Sequence, residues 1–305
     1  MRILSVGEIL WDVFGEREFL GGAPLNFCVS AQRLGDHAAL LSAVGMDARG
    51  TRAIQLMQSH SLTVRFIQIV PSIATGTAVV TTDDSGNATF CIERPAAFDR
   101  THLNAALLSE IRGFDPDWIY FGTLAQTDPQ SEDLLYRLVD EMPGMKCFYD
   151  VNLREGHWNW ALVERLSKYA SIIKLNDSEA ETLFQLARSR QKFSLENFCN
   201  HWSSAYGPSV ICVTLGSRGC AIWANGAFKT FSGFRVEVAD TVGAGDAFAA
   251  AFLHGYQLGW PLERTASFAN ALGALVATHA GATPAWAPED CLELIKSSTK
   301  NTTNG

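Results

Sequence analysis

The sequence lacks the long apolar runs and the excess of basic residues that characterise several large classes of protein. No run approaches the roughly 18 apolar residues of a membrane-spanning helix, and the first residues reach Glu8 without the apolar core of a signal peptide. Lys and Arg number 24 against 32 Asp and Glu, which gives a net charge of −8. A bulk attraction to nucleic acid or to an anionic membrane is therefore disfavoured, and we expect a cytoplasmic protein with neither as a partner.

Paired cysteines are also missing. The chain of 305 residues has seven cysteines, an odd number scattered without metal-site or disulfide-framework spacing. Most have apolar neighbours, as in Val210-Ile211-Cys212-Val213, which is typical of reduced cysteines that pack as small hydrophobic side chains. Hydrophobic residues make up 47% and charged residues 18% of the chain, so a packed globule is expected rather than disorder.

Short apolar runs alternate with amphipathic stretches of helical length, which predicts an α/β fold with a mostly parallel, Rossmann-like sheet covered by helices on both faces. The predicted strands are Ile3–Val6, Ala39–Val44, Trp118–Phe121, Lys146–Tyr149, Ser171–Lys174 and Val210–Thr214. The predicted helices are Pro24–Leu34, Gly50–Ser59, Leu103–Arg112, Ser131–Asp140, Trp160–Tyr169, Asp177–Ala187, Gly245–Leu258, Leu262–Ala280 and Pro288–Lys296. The polar tail Ser297–Gly305 is expected to fray.

Two stretches break this alternation and predict a small β-rich insertion. Val64–Val70, Thr77–Asp83 and Ala88–Arg94 are consecutive strand-like runs, the last two joined by a predicted turn at 84–87, and Ile9–Phe19 is a further extended segment. Strands joined by hairpins are antiparallel and do not easily join a parallel sheet. We therefore predict one α/β domain over residues 1–305 with a discontinuous β lid at about 9–20 and 64–96, beside a ligand-binding cleft.

The segment Asp240-Thr241-Val242-Gly243-Ala244-Gly245-Asp246 carries the strongest functional signal. A Gly-Ala-Gly turn opens a helix, and the free N–H groups of a helix N-terminus attract an anion. Asp246 in the first helical turn could simply favour the helix dipole. An acid beside an anion site is nevertheless unfavourable unless it has a task, and for a transferred phosphoryl group that task is to accept the proton of the attacking hydroxyl.

A second glycine turn, Gly21-Gly22-Ala23-Pro24-Leu25-Asn26, also precedes a predicted helix. Pro24 suits a helix start, and Asn26 one turn later could point into the cleft. Alone this is a weak signal, because Gly-Gly before a helix is common. Asp12, in the preceding extended segment, could equally be a solvated strand residue.

The two glycine segments together resemble the two signatures of the ribokinase-like, PfkB-type carbohydrate kinases. The Gly-Gly-Ala-Pro-Leu-Asn form, with Gly7-Glu8 and Trp11-Asp12 upstream, is similar to the fructokinase branch. Asp150-Val151-Asn152-Leu153-Arg154, Lys174-Leu175-Asn176-Asp177-Ser178-Glu179 and Thr214-Leu215-Gly216-Ser217-Arg218-Gly219 match further family motifs, in the family's order. Val151 departs from the usual proline and Cys28 from a common alanine, which puts the identity of the substrate in doubt more than the reaction.

This resemblance implies transfer of the γ-phosphoryl group of ATP to a primary hydroxyl of a sugar, by a ribokinase-like fold with a small β lid. Asp246 matches the catalytic base, and Gly243, Ala244 and Gly245 match the anion hole. The implied sugar-binding residues are Asp12, Gly22, Asn26 and Arg94, and the implied nucleotide-binding residues are Asn176, Glu179, Thr214, Gly216, Gly219 and Asn270. Asn176 and Glu179 match positions near the triphosphate and its Mg²⁺. A monovalent cation such as K⁺ would be held at Asp240, Val242, Val276, His279 and Gly281.

Several other classes fit the sequence less well. No Gly-x-Gly-x-x-Gly follows the first strand, as a dinucleotide-dependent oxidoreductase requires, and no P-loop or Gly-x-Ser-x-Gly motif occurs. The seven histidines lack the spacing of a zinc hydrolase. D-Fructose is the expected substrate, with another sugar, the sugar acid 2-keto-3-deoxygluconate or a nucleoside as alternatives. A non-catalytic sugar or nucleotide sensor is the alternative from another class, and a homodimer could form through the lid.

Overall fold

Helices and strands alternate along most of the chain in this computed structural model, which describes residues 1–82, 88–189 and 191–302. The strands of the described residues are β1 (Arg2–Val6), β2 (Leu10–Phe14), β3 (Arg17–Gly21), β4 (His37–Gly45), β5 (Ile67–Val70), β6 (Gly76–Thr82), β7 (Ala88–Ile92), β8 (Trp118–Gly122), β9 (Lys146–Asp150), β10 (Ile172–Asn176), β11 (Val210–Thr214), β12 (Gly219–Ala224) and β13 (Ala227–Ser232). The helices are α1 (Ala23–Arg33), α2 (Ala48–Ser59), α3 (Ala105–Phe114), α4 (Pro129–Glu141), α5 (Trp160–Ser167), α6 (Asp177–Leu186), α7 (Leu195–Tyr206), α8 (Ala244–Gln257), α9 (Leu262–Ala277) and α10 (Pro288–Thr302).

The larger sheet has nine strands in the order β13-β12-β11-β10-β9-β8-β1-β4-β5. The pairs β1–β4, β4–β5, β9–β10 and β10–β11 are parallel, whereas β11–β12 and β12–β13 are antiparallel. All five residues of β8 and all but the first of β4 are buried, as expected of strands covered on both faces. The predicted α/β class with a mostly parallel sheet is confirmed.

The smaller sheet has four strands in the order β3-β2-β6-β7. Its β2 and β3 form an antiparallel hairpin, so the single extended segment predicted over Ile9–Phe19 is in fact two strands. The small separate sheet that the sequence predicts is thus present. The predicted turn at 84–87 lies outside the described residues.

One strand assigned to this insertion belongs elsewhere. The run Val64–Val70 contributes β5, which pairs in parallel with β4 in the larger sheet, Ser42 opposite Ile67. The reason is topological: β4, α2 and β5 form a β-α-β unit, and such a crossover returns the chain parallel to the first strand. The prediction that this run lies in the lid is therefore wrong.

The chain divides into two compact units, which we call the first unit (Arg2–Ile119 with Ala125–Met145) and the second unit (Met1, Tyr120–Leu124 and Lys146–Gly305). The core of the first includes Leu4, Phe27 and Leu41, and that of the second includes Ile173 and Phe252, all at most 1% exposed.

All seven cysteines are free; Cys91 is exposed and the other six are buried. Among the described residues no helix is both long and apolar enough to cross a bilayer. Helix α10 continues past Lys296 to Thr302, into the tail predicted to fray.

Candidate active site

The turn that leads into α8 places Asp246 in the first turn of that helix. Gly243 precedes α8 with a left-handed φ of 80°, and a Cβ at this position would lie 2.3 Å from the carbonyl oxygen of Ala282. Only glycine fits such a position without strain. The amide groups of the first helical turn have no partner within the helix and attract an anion. Asp246 is only 8% exposed beside them.

A buried ion pair lies against the same turn. Lys174 in the middle of β10 donates from Nζ to both carboxylate oxygens of Asp150, at 3.0 and 2.9 Å, and the hydroxyl of Tyr120 donates to Asp150 Oδ2 at 2.9 Å. A Cβ added to Gly245 would lie 3.0 Å from Lys174 Nζ. The ammonium group is therefore packed directly against the backbone of the Gly-Ala-Gly turn.

Three carboxylates determine the protonation of this lysine. Burial acts to lower the pKa of Lys174, but attraction to Asp150, Asp246 and Glu179, together with the hydrogen bond to Asp150, outweighs it and raises the pKa above its ordinary value. Lys174 is thus a cation at neutral pH in the interior of the second unit.

Asn176 and Glu179 form a capping box at the start of α6. Asn176 Oδ1 accepts from the amide of Glu179 at 2.8 Å, and Glu179 Oε2 accepts from the amide of Asn176 at 2.8 Å. The other carboxylate oxygen of Glu179 accepts from the amide of Leu153 at 2.7 Å. Burial raises the pKa of Glu179, and these backbone hydrogen bonds act in the opposite direction. Both residues therefore have a structural role in this unit.

A pocket of about 500 Å³ lies beside the start of α8, wholly within the second unit. Four predicted nucleotide-binding residues and two of the predicted anion hole line it together: Thr214, Gly216, Gly219, Asn270, Ala244 and Gly245. Asn270 Nδ2 donates to the carbonyl oxygen of Ser232 at 3.2 Å, so its amide also fixes the end of β13. The volume of the pocket suits a small organic molecule.

Sequence reasoning missed the apolar wall of this pocket. Phe234, Val236 and Val238, from the irregular segment after β13, line it together with Phe248 on α8 and Ala274 on α9. The segment that follows β13 contains no motif. Its alternating apolar residues lie outside any strand, so the sequence does not indicate that they line a pocket. Lys174 was missed as well, although a lysine inside the apolar run Ile172-Ile173-Lys174-Leu175 already indicates a buried partner.

The residues predicted to hold a monovalent cation lie in three neighbouring segments of the second unit. Asp240 accepts from the amides of Val242 at 3.0 Å and Gly281 at 3.1 Å, which ties two of the segments together. The amide of Ala239 donates to the carbonyl of Ala277 at 2.9 Å and brings in the third, which contains Val276 and His279. Both carboxylate oxygens of Asp240 already accept backbone hydrogen bonds. Backbone carbonyl oxygens, which are hard ligands, would therefore suit a monovalent cation better here. Among the described residues no group of three His, Cys, Asp or Glu side chains could hold a metal ion.

Three of the four predicted sugar-binding residues lie together in the first unit. Asp12 on β2 is 8% exposed, and its Oδ2 would lie 2.5 Å from a Cβ added to Gly21, so the carboxylate packs against the glycine turn. Gly22 caps α1, and its carbonyl accepts from the amide of Asn26 at 2.9 Å, one turn into the helix. Asn26 is 4% exposed. A carboxylate and an amide in this arrangement supply the acceptors and donors that a polyhydroxylated ligand needs.

The fourth, Arg94, is held by an ion pair. Its Nε donates to Asp99 Oδ2 at 3.1 Å and its Nη2 to Asp99 Oδ1 at 2.5 Å, and Nη1 donates to the hydroxyl of Thr127. The side chains of Arg94 and Asp99 are 14% and 2% exposed. Asp99 therefore neutralises the guanidinium and fixes its orientation within the first unit.

The model described as "pfkB family carbohydrate kinase" matches residues 7–289. A probable fructokinase-3 of Arabidopsis thaliana is 28% identical and covers 99% of this chain and 93% of its own length. A fructokinase of Salmonella typhimurium is 29% identical, with 92% and 94% covered. An aminoimidazole riboside kinase of the same species is also 29% identical, with 97% and 95% covered.

Solved structures resemble the chain over nearly its whole length. A fructokinase of Xylella fastidiosa with bound ATP has a TM-score of 0.84 at 22% identity and covers 98% of this chain and 99% of its own. A fructokinase of Vibrio cholerae O395 with fructose, ADP and calcium bound has a TM-score of 0.80 at 25% identity, with 96% and 98% covered. The predicted ribokinase-like fold is confirmed by these likenesses.

Proposed function

Since the chain belongs to the pfkB family of carbohydrate kinases, we propose that it phosphorylates a primary hydroxyl of D-fructose with ATP. The observation that carries the proposal is Asp246, a buried carboxylate in the first turn of α8 beside the amides of the Gly243–Gly245 turn. This placement gives a proton acceptor and an anion site at one point of the chain. The fructokinase names of two relatives and the Gly-Gly-Ala-Pro segment support fructose as the acceptor.

The proposed reaction balances around Asp246. The sugar hydroxyl gives its proton to the Asp246 carboxylate while its oxygen forms a bond to the γ-phosphorus. The bond from that phosphorus to the bridging oxygen of ATP breaks, and the electron pair leaves with ADP. The amides of Gly243, Ala244 and Gly245 hold the negative charge of the transferred group, which carries most of the stabilisation in reactions of this kind.

The nucleotide would occupy the pocket of the second unit, with Thr214, Gly216, Gly219 and Asn270 in its wall. Asn176 and Glu179 are proposed to lie near the triphosphate, where bound Mg²⁺ would supply positive charge to the phosphate oxygens. A monovalent cation held by Asp240, Val242, Val276, His279 and Gly281 would add charge next to the anion hole. Asp12, Gly22, Asn26 and Arg94 are proposed to bind the sugar.

A second candidate substrate is favoured by one observation. The aminoimidazole riboside kinase matches this chain as well as the named fructokinases do, so a riboside is the competing acceptor. Both acceptors use the same chemistry at Asp246. The difference lies in the groups that the sugar-binding residues must accommodate.

The test is ADP release from ATP and Mg²⁺ with D-fructose, D-ribose, 2-keto-3-deoxygluconate, adenosine and aminoimidazole riboside, with Asp246→Ala run alongside. We expect turnover with fructose in the wild type and a loss of at least about 100-fold in the variant. Turnover with another acceptor would replace the substrate and keep the mechanism. Normal turnover in Asp246→Ala would remove the proposed base. Sugar binding without turnover of any acceptor would favour a sensor.

A further inference from the structure

The ammonium group of Lys174 lies against the backbone of Gly245, at the turn proposed to bind the transferred phosphoryl group. The reaction proposed for Asp246 assigns no role to Lys174. We propose that Lys174 is a positioning residue for this transfer: its charge keeps the Asp246 carboxylate in the deprotonated form that can accept the proton of the sugar. This inference rests on the proposed function of Asp246.

The charges around Lys174 come from four elements of the second unit. Lys174 itself is on β10, Asp150 ends β9, Glu179 is in the first turn of α6 and Asp246 is in the first turn of α8. The residues carrying the three carboxylates are 0%, 9% and 8% exposed, and Lys174 is 7% exposed. All four groups are largely removed from water, so the one ammonium group offsets the cost of burying negative charge near it, because an unpaired buried carboxylate is strongly unfavourable.

The attraction between these groups is mutual. The attraction that acts on the Lys174 ammonium group from Asp246 acts equally on the Asp246 carboxylate from Lys174. Glu179 has further partners in two backbone amides, and burial raises the pKa of the Cys212 thiol on β11 well above its ordinary value, so this thiol stays neutral. Tyr120 adds a neutral hydrogen bond to Asp150. Among these side chains, Lys174 is the one that carries a positive charge.

A purely structural role makes a different prediction. If Lys174 only compensates Asp150, removing either partner should destabilise the unit and leave the proton affinity of Asp246 unchanged. If Lys174 acts on Asp246, the two removals have opposite effects. Loss of the lysine raises the proton affinity of Asp246, whereas loss of the Asp150 charge lowers it, because a nearby negative charge disappears while Lys174 keeps Asp246 and Glu179 as partners.

The first arm measures kcat against pH for wild type, Lys174→Met, Lys174→Arg and Asp150→Asn. The acceptor is the one that gives turnover in the ADP-release assay. We expect kcat of Lys174→Met to fall most on the acid side of the profile, by up to about tenfold, with little change in KM for the sugar. The acid limb, which is the fall in kcat at low pH, should move to higher pH by about one unit in Lys174→Met. Lys174→Arg should return this limb to its wild-type pH. In Asp150→Asn the limb should move to lower pH. Unmoved limbs, or limbs moved in the same direction, would overturn the inference.

The second arm does not depend on turnover. Carbon-13-labelled aspartate is followed by NMR during a pH titration of the full chain, and the Asp246 signal is identified by its absence in Asp246→Asn. We expect a higher midpoint in Lys174→Met and a lower one in Asp150→Asn; if Lys174→Met does not fold, the Asp150→Asn shift decides. Equal midpoints would overturn the inference even in an active enzyme. A chain that phosphorylates no acceptor would instead contradict the proposed function, and the midpoints would still decide the role of Lys174.

Discussion

Arg94 and Asp99 form a two-point ion pair, with Nε and Nη2 of the guanidinium on the two carboxylate oxygens at 3.1 and 2.5 Å. Asp99 also accepts from the amide of Ala96 at 2.9 Å. Both side chains are largely buried, so each depends on the other for compensation of its charge. The residue proposed to contact the sugar is thus oriented by its own partner before any ligand arrives.

Asp99→Ala should lower the free energy of unfolding by about 3 kcal/mol, because it leaves a buried guanidinium without its carboxylate. Urea unfolding followed by tryptophan fluorescence measures this. Glu263→Gln, which breaks the exposed pair of Lys229 and Glu263, is the matched control and should leave the urea midpoint nearly unchanged. Equal losses in the two variants would show that the burial of the Arg94 pair contributes nothing.

Gly243→Ala should destabilise the start of α8 by about 2 kcal/mol and reduce turnover. Its φ of 80° disfavours a side chain, and the added Cβ would overlap the carbonyl of Ala282. Gly113→Ala in α3 is the control, since a Cβ there meets no atom within 4 Å and alanine is the better helix former. Thermal unfolding of both variants checks the prediction, which fails if Gly243→Ala is as stable as Gly113→Ala.

Ala274→Phe should block the pocket of the second unit, whose wall includes Ala274. If ATP binds there, KM for ATP should rise at least about tenfold, equivalent to about 1.4 kcal/mol of lost binding, while KM for the sugar changes little. Ala161→Phe on the exposed side of α5 adds the same ring elsewhere and should leave both constants unchanged. A rise confined to the sugar KM would place the nucleotide outside this pocket.

Asp47 should contribute to stability at neutral pH and lose that contribution in acid. Burial acts to raise the pKa of Asp47, but hydrogen bonds from the amides of Thr75 and Gly50 and from the Thr75 hydroxyl outweigh it, so the pKa lies below its ordinary value of 3.8. A group whose pKa is lowered by folding stabilises the fold above the ordinary value, and this effect is lost as pH falls through the folded value.

Asp47→Asn should therefore be about 1 kcal/mol less stable than wild type at pH 7, because a neutral amide accepts these hydrogen bonds more weakly than a carboxylate. The difference should shrink below about pH 4. Urea unfolding at a series of pH values measures it. Asp133→Asn, on an exposed position of α4, is the control and should follow the wild type throughout. A difference between wild type and Asp47→Asn that is constant with pH would contradict the assignment.

The central strands could be predicted because burial on both faces leaves a local signature in the sequence. Ile3–Val6 and Val210–Thr214 are apolar at nearly every position, and both are central strands. The antiparallel strands β12 and β13 were not predicted; β13, at the edge of the sheet, is exposed at four of its six positions and carries no apolar run. The placement of β5 was wrong because a strand's partner depends on chain crossover, which local patterning does not contain.

Like the fold, the candidate site could be predicted only in part from the sequence. Glycine turns and Asp246 are visible in the sequence, because backbone conformation and helix position require particular residue types. The pairing of Lys174 with Asp150, and of Arg94 with Asp99, depends on which side chains the fold brings within hydrogen-bond distance. Neither pairing follows from spacing along the chain.

The small sheet also constrains how the protein can be made. Leu10 on β2 pairs in parallel with Gly76 on β6, so the amino-terminal hairpin has no partner strand until the chain has passed residue 76. During synthesis on the ribosome, this hairpin must therefore wait with an unpaired edge, and isolated hairpins are only marginally stable in water. Closing so long a loop makes late completion of this sheet the expected slow step in folding.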